Sequence, residues 1–300
     1  MKKSIRYVIS FGIVILAGWA AIAWAPQARF YSRLIRERSR YCSATDVFRT
    51  ALVSKPVAVR ILKEEPDGLA LFDTPIGQFW APRRNQGSLP TMISEVEGSE
   101  YTDGRHPVER GDVVLDCGAN VGVFTRHALR MGARLVVAIE IAPENIGCLR
   151  RNFAGEIQAG KVIVYPKGVW DKDDTLVLRV YDVDSGSNTV ALHPEDSEEG
   201  PTVPLTTIDK IVAELKLDRV DFIKMDIDGA ERNALRGAID TVRRYRPALA
   251  ISLEHGPRDA EEIPDLIHRQ WPQMDVRCPP CVRLRTDYVN RLQPPVVYAR

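Results

Sequence analysis

Gly111-Asp-Val-Val-Leu-Asp116-Cys-Gly118-Ala-Asn120-Val-Gly122 decides the fold of this 300-residue chain. Asp112–Cys117 reads as a buried strand, and Val121–Met131, just beyond, has helical spacing. Gly118 and Gly122 let the backbone turn tightly between the two. A strand that turns on glycine into a helix is the first half of a βαβ unit. The second glycine of a GxGxxG dinucleotide fingerprint would fall at Asn120, so a pyrophosphate does not suit this turn. Asp116 at its mouth suits a ligand carrying positive charge instead.

Outward from this stretch, strands and helices alternate. Strands are expected at 134–140, 161–165, 220–226 and 248–254, with an inserted strand at 175–181. Helices are expected at 143–153, 206–217, 230–243 and 260–270, the first with Pro143 at a position where a missing N–H costs nothing. Segments 274–284 and 295–299 form a closing antiparallel pair. The expected fold class is α/β, a mostly parallel seven-stranded sheet with helices on both faces. Ahead of it, 57–62, 69–72 and 77–80 make a small β-rich lead-in, and 85–89 reads as loop. Segments 81–106 and 182–203 are the expected substrate loops, and the acidic run 195–199 reads as solvated.

In such a sheet, ligands bind beyond the carboxyl ends of the strands, where strand order reverses. Glu140 ends the second strand, 24 residues after Asp116, where an acid commonly binds ribose hydroxyls. Two carboxylates on a βαβ frame suit S-adenosylmethionine, with its ammonium, sulfonium and ribose. The fourth strand ends in Lys224-Met-Asp226-Ile-Asp228-Gly-Ala-Glu231. Asp226 is placed to orient an acceptor hydroxyl or take its proton. Lys224 reads most simply as its ion-pair partner. Asp228 and Glu231 also have capping-box spacing, and Asp209 has cap spacing with Thr206. The fifth strand ends in Glu254-His255, and a histidine beside a cleft is a candidate base. No fixed ligand spacing marks a metal, and none is expected.

Four separated motifs resemble the FkbM family of S-adenosylmethionine-dependent methyltransferases: 111–122, Glu140-Ile-Ala-Pro143-Glu-Asn145, Thr207-Ile-Asp209, and 224–231. Their order and spacing match as well, over roughly residues 70–255. The resemblance implies a Rossmann-like methyltransferase fold and O-methylation of a hydroxyl, often on a sugar or secondary metabolite. It implies a cofactor site at Asp116, Gly118, Asn120, Gly122, Glu140 and Asn145. Asp226, His255 and Lys224 are then the catalytic candidates, with Asp209, Asp228, Glu231 and Glu254 as substrate or secondary residues. The family motif often carries Glu where Asp228 stands.

Charge is split along the chain. Residues 1–60 hold 11 Lys/Arg and 2 Asp/Glu, while the rest hold 30 and 38. The overall net charge of +1 gives no field favouring nucleic acid. Tyr7–Ala25 runs 19 residues without a charge, and a helix of that length spans about 28 Å, close to a bilayer core. The competing reading is a cleaved leader with Ala23-Trp24-Ala25 at the cut. Residues 1–28 are therefore read as a single-pass membrane anchor, 29–60 as a basic connector, 61–110 as the lead-in and 111–300 as the catalytic domain. Arginines at 29, 33, 36, 38 and 40 favour a cytoplasmic catalytic domain. The five cysteines lack the spacing of a disulfide framework, and Cys278-Pro-Pro-Cys281 lacks the helix that would follow a redox motif.

The expected protein is a membrane-anchored O-methyltransferase acting on a small-molecule or glycan acceptor, such as a sugar, lipid-linked glycan or secondary metabolite. Its rivals are a nicotinamide-dependent oxidoreductase and a non-catalytic, membrane-tethered binding module.

Overall fold

The computed structural model describes residues 32–48, 56–98, 101, 106–180, 185, 188–190, 198–285 and 290–300. Residues 7–25 lie outside them, and no helix among the described residues is long and apolar enough to cross a membrane.

The lead-in is an antiparallel sheet of β1 (Arg60–Glu64), β2 (Leu69–Thr74) and β3 (Gly77–Pro82). A 3₁₀ turn at Arg83–Gln86 and helix α1 (Leu89–Glu97) follow, where the sequence read as loop. Leu89, Ile93 and Val96 recur at helical spacing along α1 and are buried. They pack in one core with Phe72 and Phe79 of the lead-in.

The main body then alternates β4 (Val113–Cys117), α2 (Val123–Met131), β5 (Leu135–Ile139), α3 (Pro143–Asn152), α4 (Ala154–Gln158) and β6 (Val162–Tyr165). A small sheet of β7 (Gly168–Val169), β8 (Asp174–Val180) and β9 (Glu198–Thr206) is inserted next. The sequence had 206 starting a helix and 195–199 in a loop; β9 takes 198–206, and α5 is shortened to Ile208–Glu214. β10 (Phe222–Met225) leads to α6 (Glu231–Arg236) and α7 (Ile239–Tyr245). These replace the single helix expected over 230–243. The break falls at Gly237, where a Cβ would lie 2.0 Å from the Trp170 carbonyl oxygen. β11 (Ala248–Ser252), α8 (Asp259–Gln270), β12 (Val276–Arg277), β13 (Val282–Arg285), β14 (Asn290–Gln293) and β15 (Val296–Ala299) complete the chain.

The seven-stranded sheet has the order β12-β15-β11-β10-β4-β5-β6. Five strands are parallel, and β15 runs antiparallel to both β11 and β12. The expected closing pair is therefore present as β12–β15, while β13 pairs with β14 instead. All five residues of β4 are buried, as a strand covered on both faces requires. Leu115 and Cys117 enter one core and Val114 the other, following the two-residue period of a strand. Strand order reverses beside β4, whose neighbours are β5 and β10, and this fixes where a ligand cleft opens.

Cys42 and Cys281 form a disulfide across 239 residues, which the cysteine spacing did not suggest. Cys117, Cys148 and Cys278 are free.

Candidate active site

β4 and β10 are in parallel register, with Lys224 opposite Asp116 and Met225 opposite Cys117. Both strands therefore release their chains at the same edge, and the Gly118 turn touches the Asp226 backbone. Gly118 has φ +77°, and a Cβ on it would sit 1.9 Å from the Asp226 carbonyl oxygen. Glycine here permits the two strand ends to close on each other. Gly122, at φ +97°, has a different reason: its Cβ would lie 2.2 Å from the Phe153 ring. It packs against α3 and α4 and is absent from the cavity wall, contrary to its expected contact with cofactor.

A cavity of about 290 Å³ opens beyond these strand ends. Its floor is Gly118–Asn120, Glu140 and Asp226–Asp228; α1 and Tyr101 cover it; Glu254 and His255 close one side. Lys167, Ser185 and Asn188 reach it from the inserted region.

Asn120, at φ +49°, donates its backbone N–H to Glu140 Oε2 at 2.7 Å. Ile141 and Ala142 N–H groups both donate to Glu140 Oε1 at 2.8 Å. Burial pushes the Glu140 pKa up, against these three bonds. A carboxylate offers about four lone-pair positions, so one remains for a ligand hydroxyl. Beside it, Asn120 Oδ1 is buried with no hydrogen-bond partner. These two acceptors suit ribose hydroxyls. The acids on the wall, Glu95, Glu140, Asp226, Asp228 and Glu254, outnumber its cations and suit a sulfonium.

Asp116 corrects an expectation. It is fully buried, accepts a hydrogen bond from Thr125 Oγ1 at 2.7 Å, and lies off the cavity wall. Its partner is Lys224, whose Nζ stands 3.5 Å from Asp116 Oδ1 and 3.8 Å from Asp226 Oδ2. Lys224 Nζ also donates to the Gly118 carbonyl oxygen at 2.8 Å. Burial lowers the Lys224 pKa, but the two carboxylates outweigh it and hold the ammonium charged. Lys224 is thus a buried clamp between the glycine turn and Asp226. Asn145 is another indirect residue: it is off the wall and donates to the Ser185 carbonyl oxygen at 3.1 Å.

Asp226 Oδ2 accepts from Tyr101 Oη at 3.0 Å. Burial raises its pKa, but Lys224 and His255 more than offset this and keep it below the usual range. His255 Nδ1 lies 2.9 Å from Glu231 Oε1. Glu231 is 1% exposed and also accepts from Ile227 N at 3.0 Å. His255 Nε2 faces Asp228 Oδ1 at 3.5 Å and Asp226 Oδ1 at 3.6 Å. Burial lowers the His255 pKa, but Glu231 and Asp228 carry it well above 6.5. No capping box forms, because Ala230 rather than Asp228 precedes α6. Asp209 lies elsewhere, accepting from Asp240 N and Thr241 N at 3.1 and 2.7 Å at the start of α7. Thr207, not Thr206, caps α5.

Two carboxyls on the wall have no hydrogen bond or ion pair among the described residues. Burial, with the charge of Asp226, pushes Glu254 up to about 7 despite His255. Burial, then Glu254 and Asp226, push Glu95 up to about 8. Glu95 and Tyr101 were not singled out from the sequence, although both fall in the expected substrate segment 81–106. The helical spacing of Leu89, Ile93 and Val96 was the available signal.

A family model described as the Methyltransferase FkbM domain matches residues 116–274. Methyltransferase 1 of Beauveria bassiana (strain ARSEF 2860) is 26% identical over 155 residues, covering 45% of this chain and 61% of that protein. The crystal structure of Methyltransferase FkbM from Methylobacillus flagellatus KT aligns with TM-score 0.47 and 22% identity, over 67% of this chain and 46% of that one. M. jannaschii TYW2 in complex with AdoMet aligns with TM-score 0.44 and 16% identity, over 82% and 92%. The chain thus spans less than two thirds of the length of the first two.

Proposed function

The chain belongs to the FkbM methyltransferase family, and from that premise we propose that it moves a methyl group from S-adenosylmethionine to a hydroxyl of a sugar, lipid-linked glycan or secondary metabolite. The observation that carries this reading is the pairing of two strand ends across one acid-rich cavity, the glycine turn after β4 and Asp226 after β10. The cofactor, when bound, supplies an already activated methyl on a cationic sulfur. The chain's own task is mainly to position the reactants. Glu140 and Asn120 hold the ribose end. Lys224 fixes the glycine turn against Asp226. Asp226, ionised and braced by Tyr101, orients the acceptor hydroxyl and stands as the base for its proton, while His255, aligned by Glu231, helps to keep Asp226 ionised.

Titration of the purified chain with S-adenosylmethionine tests the reading, and absence of binding at sub-millimolar concentration sinks it. Asp226→Asn tests the role of the carboxylate: methyl transfer that survives unchanged refutes the assignment. Asn120 in place of the second fingerprint glycine weighs against the nicotinamide alternative, and a thermal shift with NAD but not S-adenosylmethionine would restore it.

We also propose that residues 7–25 anchor the chain and leave the catalytic domain in the cytoplasm, from the arginines that follow. The Cys42–Cys281 bond weighs the other way, because such bonds persist mainly in oxidising compartments. A carboxyl-terminal alkaline phosphatase fusion tests the orientation, and an active fusion reverses it.

A further inference from the structure

We propose that Asp226, Asp228 and His255 form a divalent-cation site at the acceptor end of the cavity, with Glu231 as the outer carboxylate that fixes the imidazole. Ligand atoms of Asp226, Glu231 and His255 all lie within 4.8 Å of one another. Because His255 Nδ1 is engaged by Glu231 at 2.9 Å, Nε2 is left facing the cavity, and its proton is released to solvent when the ion binds. This carboxylate–histidine arrangement is the usual support of a metal-binding imidazole, since it sets both the tautomer and the ring orientation.

The distances on the Nε2 side are those of ligands around an ion. Asp228 Oδ1 and Asp226 Oδ1 stand 3.5 and 3.6 Å from Nε2. Both exceed the roughly 2.7–3.2 Å of an N–H···O bond, so the two contacts with the imidazole are ion pairs rather than hydrogen bonds. Two ligands bound at about 2.1 Å to one cation are about 3.0 Å apart at a right angle and about 3.4 Å apart at a tetrahedral angle. Each oxygen therefore stands within a few tenths of an ångström of such a ligand-to-ligand distance from Nε2. Asp226 Oδ2 is already committed to Tyr101, and Oδ1 is the oxygen that faces Nε2.

Charge points the same way. Asp226, Asp228 and Glu231 surround one imidazole, while the nearby ammonium of Lys224 is shared among Asp226, Asp116 and the Gly118 carbonyl. Behind them Asp259, 2% exposed, keeps Oδ2 without a hydrogen-bond partner. The surplus is negative, and the ligand atoms are not sealed off: the side chains of Asp226, Asp228 and His255 are 36, 19 and 17% exposed. One nitrogen and two oxygens suit a first-row divalent cation better than Ca²⁺, and Mn²⁺ serves as the probe. Open coordination positions would take water or the acceptor's oxygen, and coordination would make that hydroxyl easier to deprotonate. This role rests on the methyl-transfer reading; the binding of the ion does not.

The test uses the full chain, stripped with EDTA and titrated with Mn²⁺, free Mn²⁺ being followed by electron paramagnetic resonance. S-adenosylmethionine binding is measured in parallel by calorimetry. One Mn²⁺ per chain is expected. Asp228→Asn, at a left-handed position that asparagine tolerates, is expected to weaken it at least tenfold, and His255→Gln likewise. Glu231→Gln is expected to weaken it by about 10–100-fold, as outer-shell changes do. Glu231→Gln, off the cavity wall, should keep its S-adenosylmethionine affinity. No Mn²⁺ binding up to millimolar concentration overturns the proposal, as does binding that is unchanged in both Asp228→Asn and His255→Gln. The two readings fail separately: a chain that takes Mn²⁺ but not S-adenosylmethionine refutes methyl transfer and supports the cation site.

Discussion

Replacing Glu95 by glutamine should make the protein more stable, and by an amount that grows with pH. Glu95 projects from α1 onto the cavity wall, where burial and the charges of Glu254 and Asp226 raise its pKa from 4.5 to about 8. The fold therefore holds this carboxyl in its neutral form between those values, while the unfolded chain has already released the proton. Native Glu95 binds more protons than unfolded Glu95, so its contribution to stability falls as pH rises through that window. At about 1.36 kcal/mol per pH unit, the penalty is about 1.4 kcal/mol at pH 5.5, about 3 at pH 7 and about 4.6 at pH 8.5. Glutamine has a similar shape and no charge, so Glu95→Gln escapes the penalty. Urea unfolding of both proteins at pH 5.5 and 8.5 measures it, and the stability gain of the variant should be larger by about 3 kcal/mol at the higher pH. The linear slope against urea must stay the same in both, so that the change is one of stability rather than of compactness. A gain that is equal at the two pH values refutes the reasoning, because it would mean that burial, Glu254 and Asp226 do not raise the Glu95 pKa. The same logic carries a functional corollary: a cationic ligand beside Glu95 repays the penalty, so S-adenosylmethionine should stabilise the parent more than the variant at pH 8.5.

Three further outcomes follow from the clamp, the turn and the disulfide. Lys224→Met removes the partner of a fully buried carboxylate and should cost about 3–5 kcal/mol in urea unfolding, part of it regained by adding Asp116→Asn; a loss below about 1 kcal/mol would refute the clamp. Gly118→Ala places a Cβ 1.9 Å from the Asp226 carbonyl oxygen and imposes φ +77° on an L side chain, so calorimetry should show S-adenosylmethionine affinity reduced at least tenfold. Thiol titration of the purified, denatured and unreduced chain should find three free cysteines, Cys117, Cys148 and Cys278, whereas five would disprove the Cys42–Cys281 bond.

The βαβ core was legible because its signal is local. A buried strand, a glycine turn and an amphipathic helix follow one another within 21 residues, from Gly111 to Met131, and each dictates the next. The position of Asp226 beside that turn was legible for a different reason: parallel strands on the two sides of a switch point must release their chains at the same edge. Side-chain direction within the site needed more. Asp116 has the parity of Val114, which packs against Phe124 of α2, so alternation alone turns its carboxylate toward Thr125 and away from the ligand. Lys224 shares that face only because β10 pairs with β4 in one particular register, 108 positions apart in the chain. A slip of one residue would send its ammonium to the opposite face and leave Asp116 buried without a counter-charge. Register of this kind is settled by packing over the whole sheet, so the sequence could name Lys224 as an ion-pair partner and still assign Asp116 to the cofactor. The same holds at the cavity roof. The helical period of Leu89, Ile93 and Val96 was readable, but the direction of Glu95 depends on which face of α1 meets Phe72 and Phe79 of the lead-in. Where a charge sits in this protein follows from short-range rules; what that charge must bear follows from neighbours that only the folded sheet brings together.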